Sequence, residues 1–531
     1  MNRRQFVAQG TLSAGWVLAG SRPSAAAARD SAAGFSTDDA GLLRLYQSAL
    51  DALRANTLSL PAWPHPVLTE GSQYHGVWLE SAPQEAAVYA ELAPETARVL
   101  ARNNHLIFFA LQRQDGQLPY SVKAGGAGFG QIQMVVPIAA TAWELALRWN
   151  DEELLKKAYA ACSRWDLWLR RWRNTRGTGL CEGFCAYDTG MDNSPRWKGM
   201  PNTCPDGDAR RCPHAPGLPR LCPDLSATVY GGRVALAAMA AALGRSGDAE
   251  QWTRDAESIR ALIVERLYDP QDGAFNDLDA NNRFVRVRSA ATLRVLGEQV
   301  PGPALFSDVW TRQANNPRAF WAPYPFPSIA LDDPAFVRPI PPDSWGGAAQ
   351  ALTALRAPRW MEPYRKPAEL AYLMQRWIEA IRRNRGFHQQ MDPLSGTFTP
   401  DSGGYSPAAL VFCDFLWRLS GVRSQSSGSI EWNVRSPAVG SSNFSARIHE
   451  HNVELRYRGE QAQLIQDGRC LAHVSGVVRI VTDIHEGDLL DTVGIQEGET
   501  TVTLRLPCQS PRTFRIAANQ HLNWTGHSAG A

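Results

Sequence analysis

Apolar side chains recur at three- and four-residue intervals over most of this chain. Leu42, Leu43, Tyr46, Leu50 and Leu53 mark the first run, the pattern of one buried helix face. The same period predicts helices over 85–111, 135–149, 152–172, 226–243, 249–267, 346–355, 368–381 and 407–419. Polar turns such as Gln114-Asp115-Gly116-Gln117 and Asp269-Pro270-Gln271-Asp272-Gly273 separate them. Residues 37–420 therefore read as one mainly α domain of helical hairpins, a solenoid or a closed toroid. Strands do not alternate with helices, which argues against a parallel barrel or a nucleotide-binding α/β fold. Gly and Ser enrichment predicts a linker over 421–429. Beyond it the period becomes two: Val453, Leu455 and Tyr457 alternate with polar residues, as do Val502, Leu504 and Leu506. Residues 430–531 are thus predicted to form a small, sandwich-like β domain.

Composition narrows the function classes. Of 531 residues, 44% are hydrophobic and 20% charged, the balance of a globular protein. A net charge of +2 without basic runs offers nucleic acid no face. No uninterrupted apolar stretch of membrane-spanning length is present, so no membrane span is predicted. The 18 tryptophans suit cores and sugar clefts alike, and Trp165, Trp168 and Trp172 follow helical spacing and read as core.

Residues 1–28 combine Arg3-Arg4-Gln5-Phe6, a short apolar segment and Ala25 to Ala28. This predicts a twin-arginine signal peptide and a periplasmic or secreted protein. In an exported chain the nine cysteines are expected to form structural disulfides, one thiol at least remaining unpaired. Cys204, Cys212 and Cys222 share one segment, but no Cys-x2-Cys pair suggests zinc. Neither a metal nor an organic cofactor is predicted.

The stretch Ala186-Tyr187-Asp188-Thr189-Gly190-Met191-Asp192-Asn193-Ser194-Pro195-Arg196-Trp197 carries the chemistry. Two carboxylates four residues apart flank a glycine, with Arg and Trp following, in a segment too rich in turn residues for a helix. An acid that protonates a leaving oxygen, beside rings that hold a sugar, suits glycosidic bond cleavage. A loop whose Asp residues cap helices and whose Arg forms an ion pair fits the same residues.

The stretch resembles the E-S-G-x-D-x-S-x-R-W signature of the trehalase and processing α-glucosidase clan, including glycoside hydrolase family 63 and its mannosylglycerate-hydrolase-like members. Further segments resemble the family in order: Gln112 to Gly116 with Pro119, Gln133, Ala142-Trp143-Glu144-Leu145, Asp224-Leu225-Ser226-Ala227, and Phe387 to Gly396 with Tyr405-Ser406. The likeness spans roughly residues 70–420 and implies an (α/α)6 six-hairpin toroid. It implies Asp192 as general acid of an inverting glycosidase, with Asp188 as a sugar-hydroxyl ligand and Arg196 and Trp197 lining the same subsite. Trp78 and Glu80 stand where the family has W-x-D, and Trp345 where it has W-R-G, the Arg being absent. The implied substrate is an oligosaccharide or small glycoside with an α-glucosidic or α-mannosidic bond.

One departure outweighs these matches. The family's general base is the Glu of F-x-E-x-Y, and Gln389 stands there. A neutral amide cannot take the proton from water. Three readings stay open: a relocated base (Glu80, Asp188 or Asp343), a phosphorylase that needs none, or a sugar-binding protein on a degenerate scaffold. Asn103-Asn104-His105 resembles an element of some alginate lyases, although polar residues on a helix explain it as well. With Tyr74-His75 as partner it keeps a polysaccharide lyase as a further alternative.

Overall fold

The computed structural model describes residues 34–426 and 428–524; the expected signal peptide, 1–28, lies outside them. The N-terminal part is helical: α1 (Ala40–Ala55), α2 (Ala82–Leu92), α3 (Pro94–Ala110), α4 (Ile138–Trp149), α5 (Glu152–Trp172), α6 (Pro223–Ala242) and α7 (Ser246–Leu267). It continues with α8 (Ala291–Gly297), α9 (Pro303–Val309), α10 (Ala351–Arg356), α11 (Pro358–Met361), α12 (Pro367–Asn384) and α13 (Ser406–Ser420). Consecutive elements pair, as α2 with α3, α4 with α5, α6 with α7 and α12 with α13. One helix of each pair also meets the next pair: α2 packs on α4, α4 on α6, α6 on α8, α8 on α11, and α13 on both α10 and α2.

Local chemistry explains these helices. At α5 the Asp151 carboxylate caps Leu154 N–H at 2.9 Å, Glu152 and Glu153 fill the first turn, and Arg170 and Arg171 the last. That arrangement suits the helix dipole at both ends. Trp165 and Trp168 stack at 5.1 Å, both buried, as their spacing predicted. The single run expected over 85–111 is two helices, because Pro94 opens a new first turn where it cannot continue the old one. Helices α8 and α9 escape the periodic pattern because seven residues span barely two turns. By length and composition α6 is apolar enough to cross a membrane, but most of it is buried among α4, α5, α7 and α8.

The β domain holds a seven-stranded and a five-stranded antiparallel sheet. Two expectations change here. The stretch 421–429 is no loose linker: Val422–Ser426 is already a strand, paired with Ser429–Val434. The domain also recruits a strand from the other end of the chain, Gly34–Thr37, which pairs with Ser441–Ile448 at the sheet edge. Trp417 of α13 packs on Phe444 at 5.1 Å, and Arg479 grips Glu362 with two 2.8 Å hydrogen bonds, tying β domain to helices. The expected disulfides are not formed. All nine cysteines are free thiols, and Cys185 and Cys204 lie with their sulfurs 3.7 Å apart.

Candidate active site

The Asp192 loop is aimed by backbone contacts. After the 3-10 turn Ala186–Thr189, Gly190 adopts a left-handed φ of 59°, and Asn193 follows at 56°. The Asp192 carbonyl accepts from Trp345 N–H at 3.0 Å, and Asn193 Nδ2 donates to the Asp343 carbonyl at 2.9 Å. Two loops about 150 residues apart are thereby joined edge to edge.

Around the Asp192 carboxyl several polar atoms stand buried without a partner among the described residues. Asp192 Oδ1, Glu80 Oε2, Arg294 Nη2, and Arg356 Nε and Nη1 are of this kind. Buried polar atoms normally find partners, so a convergent set of orphans marks where a polar ligand completes the structure. Burial, then the Glu80 and Asp343 charges, push the Asp192 carboxyl up to about 7 against the pull of Arg294. Burial and the nearby Arg356 cation lower the Arg294 guanidinium to about 9. Its other end donates to the Thr189 carbonyl, and it lies 5.0 Å from the Trp345 ring.

Glu80 leads into α2. Gln133 Nε2 donates to its Oε1 at 3.1 Å, and Gln131 Nε2 donates to Gln133 Oε1 at 2.9 Å. Gln133 itself has a φ of 39°. Burial raises the Glu80 carboxyl although Arg356 and Arg294 oppose the shift. Trp78 ends the strand Gly76–Trp78, with Tyr74 edge-on at 5.7 Å and Lys123 Nζ 5.0 Å from its ring. Trp78, Glu80, Gln133, Asp192 and Trp345 thus belong to one neighbourhood.

Three expected sugar contacts do not. Asp188 is fully buried, gripped by both Arg173 Nη atoms, and it accepts from the N–H groups of Ile132, Phe184 and Cys185. Five donors saturate its oxygens, so no sugar hydroxyl is needed. Arg196 is equally committed. Its guanidinium donates to Asp277 at 2.8 and 2.5 Å and to Asp224 at 2.8 and 2.7 Å, and its last N–H faces Met191 Sδ. Trp197 is buried beside it, donating to Thr189 Oγ1 at 3.0 Å. These residues hold the loop rather than the ligand. Two acidic–thiol clusters among the described residues, Cys185-Asp188-Cys204 and Cys222-Asp224-Asp277, spend their carboxylates on the same arginines, which a cation would have to displace.

The lyase-like triplet is structural too. Asn104 exchanges hydrogen bonds with the Leu68 backbone, and His105 is buried between Ala101 O and Thr141 Oγ1, burial pulling it down to about 4. Gln389 does reach the site. Its Oε1 lies 3.0 Å from the Tyr74 hydroxyl oxygen, and its Nε2 donates to Asp343 Oδ1 at 3.2 Å. Arg294 and Arg356 escaped sequence reasoning, because no local motif marks them, and Tyr74 entered it only as a partner of the lyase-like triplet.

Comparison with known proteins identifies a family and a fold. The family model of the mannosylglycerate hydrolase MGH1-like glycoside hydrolase domain matches residues 85–408. No curated protein matches the sequence. Among solved structures, the family 63 mannosylglycerate hydrolase from Thermus thermophilus in complex with glucose is 20% identical. It covers 70% of this chain and 99% of its own, with a TM-score of 0.56. Neutral trehalase from Saccharomyces cerevisiae is 13% identical over 70% of this chain and 80% of its own, TM-score 0.51. An α-L-rhamnosidase from Streptomyces avermitilis complexed with L-rhamnose is 14% identical over 93% of this chain and 42% of its own, TM-score 0.52. At these identities the likeness speaks for the fold. The family model covers well over half of the sequence and includes the Asp192 loop, and the chain therefore belongs to the mannosylglycerate hydrolase MGH1-like glycoside hydrolases.

Proposed function

We propose that the protein hydrolyses an α-mannosidic or α-glucosidic bond of a small glycoside with inversion, Asp192 acting as general acid. One observation carries the reading: a half-buried carboxyl, protonated up to about pH 7, with a buried, unpartnered oxygen among orphaned Glu80 and Arg294 atoms. Such a group holds a proton at neutral pH and delivers it to a leaving oxygen. The neighbour order of the helices supports a closed (α/α)6 ring, and the Arg3-Arg4 leader supports export to the periplasm or beyond. A neighbour in fold binds glucose, and a further structure of that enzyme holds D-glycerate, which makes mannosyl- and glucosylglycerate the first substrates to assay.

The test is a panel of α-mannosides and α-glucosides followed by proton NMR. The β-anomer of the free sugar appears first under inversion; initial release of the α-anomer overturns it. Binding without turnover across the panel would favour the degenerate sugar-binding scaffold, the reading that Gln389 keeps open.

The acid must be protonated to act, so raising the pH through its pKa removes activity. The profile of kcat/KM is expected to fall above about pH 7, the value to which burial raises Asp192. A profile flat to pH 9 would remove Asp192 from the role.

Gly190 offers another check. A Cβ there would stand 1.9 Å from Glu80 Oε2, at a φ of 59° that side chains rarely adopt. Gly190→Ala is expected to displace Glu80 and lower kcat/KM by about a hundredfold, the scale on which a misplacement of about 1 Å acts. Unchanged kinetics would show that Glu80 is not needed where it stands.

A further inference from the structure

We propose that Asp343 is the general base of this site, and that Gln389 and Tyr74 are the residues that position it. The inference rests on the hydrolase reading above and names the group which that reading leaves open.

Inverting hydrolysis requires a second carboxylate facing the acid across a water molecule, about 6.5–9.5 Å away. The acidic side chains around the site differ in what they have left to offer. Asp188 is saturated by Arg173 and three backbone N–H groups. Asp224 and Asp277 are bound to Arg196. Asp401 accepts from His388 Nδ1 at 2.6 Å and from the N–H groups of Gln389 and Gly403. Glu80 is buried between Arg356 and Arg294, beside Gly190 on the acid's own loop.

Asp343 is different. It is half-exposed, and its Oδ1 accepts from the Tyr74 hydroxyl at 2.9 Å and from Gln389 Nε2 at 3.2 Å. Its Oδ2 receives no hydrogen bond among the described residues. One oxygen is anchored and the other is free for water. Two donors on the anchored oxygen fix the direction in which the carboxylate points. The loop beneath is held with equal care. Gln390 Nε2 donates to the Pro341 carbonyl at 2.7 Å, and Ser344 N–H donates to Gln390 Oε1 at 3.0 Å. Asp343 takes a left-handed φ of 47°, costly for a non-glycine residue and common where side chains are aimed at chemistry. Through Asn193 and Trp345 the same loop is joined to the Asp192 loop, and the Asp343 charge is one of those opposing ionisation of Asp192.

This geometry also explains the amide at 389. A carboxylate in its place would set two like charges about 3 Å apart, and they could not both ionise. Gln389 is thus the partner that an Asp343 base demands. In the step, Asp343 Oδ2 takes a proton from water as the water oxygen bonds to the anomeric carbon. The glycosidic C–O bond breaks, and the Asp192 proton passes to the leaving oxygen. Solvent then restores both groups.

The test uses α-mannosyl and α-glucosyl fluoride with the full chain. Fluoride departs without a proton, so these substrates need the base and not the acid. Asp192→Asn is expected to retain turnover of the fluoride that the wild type consumes. Asp343→Asn is expected to lose about 10²–10⁴-fold on it, the usual range for such a group. Asp343→Asn/Gln389→Glu, which exchanges amide and carboxylate, is expected to recover turnover while melting at the temperature of Asp343→Asn. Undiminished fluoride hydrolysis by Asp343→Asn overturns the assignment and leaves the hydrolase intact. A folded Asp343→Asn that Gln389→Glu cannot rescue also counts against the base and for a structural role. Wild type inert towards both fluorides and the whole glycoside panel removes the hydrolase reading itself.

Discussion

Asp192→Asn is expected to lower kcat/KM on an alkyl glycoside by about 10²–10⁴-fold, the usual worth of a positioned general acid. The size follows from the leaving group, because an alkoxide expelled without a proton is a poor one. Asparagine keeps the volume of the side chain and relieves the burial cost, so the variant is expected to fold and to bind. Its loss therefore falls on kcat more than on KM. The Glu80 and Asp343 charges face a neutral amide in the variant and no longer act on a titrating group. The alkaline fall in kcat/KM should disappear with the carboxyl. Steady-state kinetics of wild type and variant across pH check both points. Full activity on alkyl glycosides in Asp192→Asn would end the assignment.

The second large effect concerns stability. Arg196→Met is expected to destabilise the fold by about 3–5 kcal/mol, the cost of leaving buried charges uncompensated. That is a large share of the roughly 5–15 kcal/mol that holds a domain together. Arg196 is the common partner of Asp224 and Asp277, all three buried. Burial alone would raise the Asp224 carboxyl, yet Arg196 and Arg294 hold it below its ordinary value. A carboxyl depressed in the folded state contributes stability that is present at neutral pH and lost as pH falls through the folded pKa. Without Arg196 that contribution vanishes at neutral pH, and the gap between variant and wild type narrows in acid. Urea melts at pH 7 and at about pH 3, below the ordinary aspartate value of 3.8, measure both. Equal midpoints at pH 7 would show that the cluster does not support the loop.

The contrast between Asp192 and its neighbours shows what a linear motif can carry. The helical period, the switch to period two and the Asp192 loop are local, and all were legible in the residues. The roles of Asp188, Arg196 and Trp197 were not. An Asp or Arg that grips a sugar and one that grips another side chain look identical until their partners are known. Those partners lie at Arg173, Asp224 and Asp277, from 15 to 81 positions away. The anchoring of Asp343 by Tyr74 spans 269 positions, beyond the reach of any spacing rule. Arg294 sits on a short helix that the period misses, and Arg356 is the residue just past the predicted 346–355 run. Gly and Ser at 421–429 misled for another reason: edge strands tolerate small polar residues when their backbone is paired.

The strand Gly34–Thr37 has a consequence for how the chain acquires its shape. Its partner strand lies some 411 positions later. Contacts this distant form late, because a very long loop must close before they add anything. A nascent chain leaving the ribosome can assemble its helices in order, but the sheet edge stays unsealed until the last domain has emerged. Completion of the β domain is therefore the event that gives Gly34–Thr37 its partner, and a chain stopped short of Ser441 would display an unpaired strand beside an otherwise finished helical body. That exposed edge is a handle by which quality control could tell finished molecules from unfinished ones.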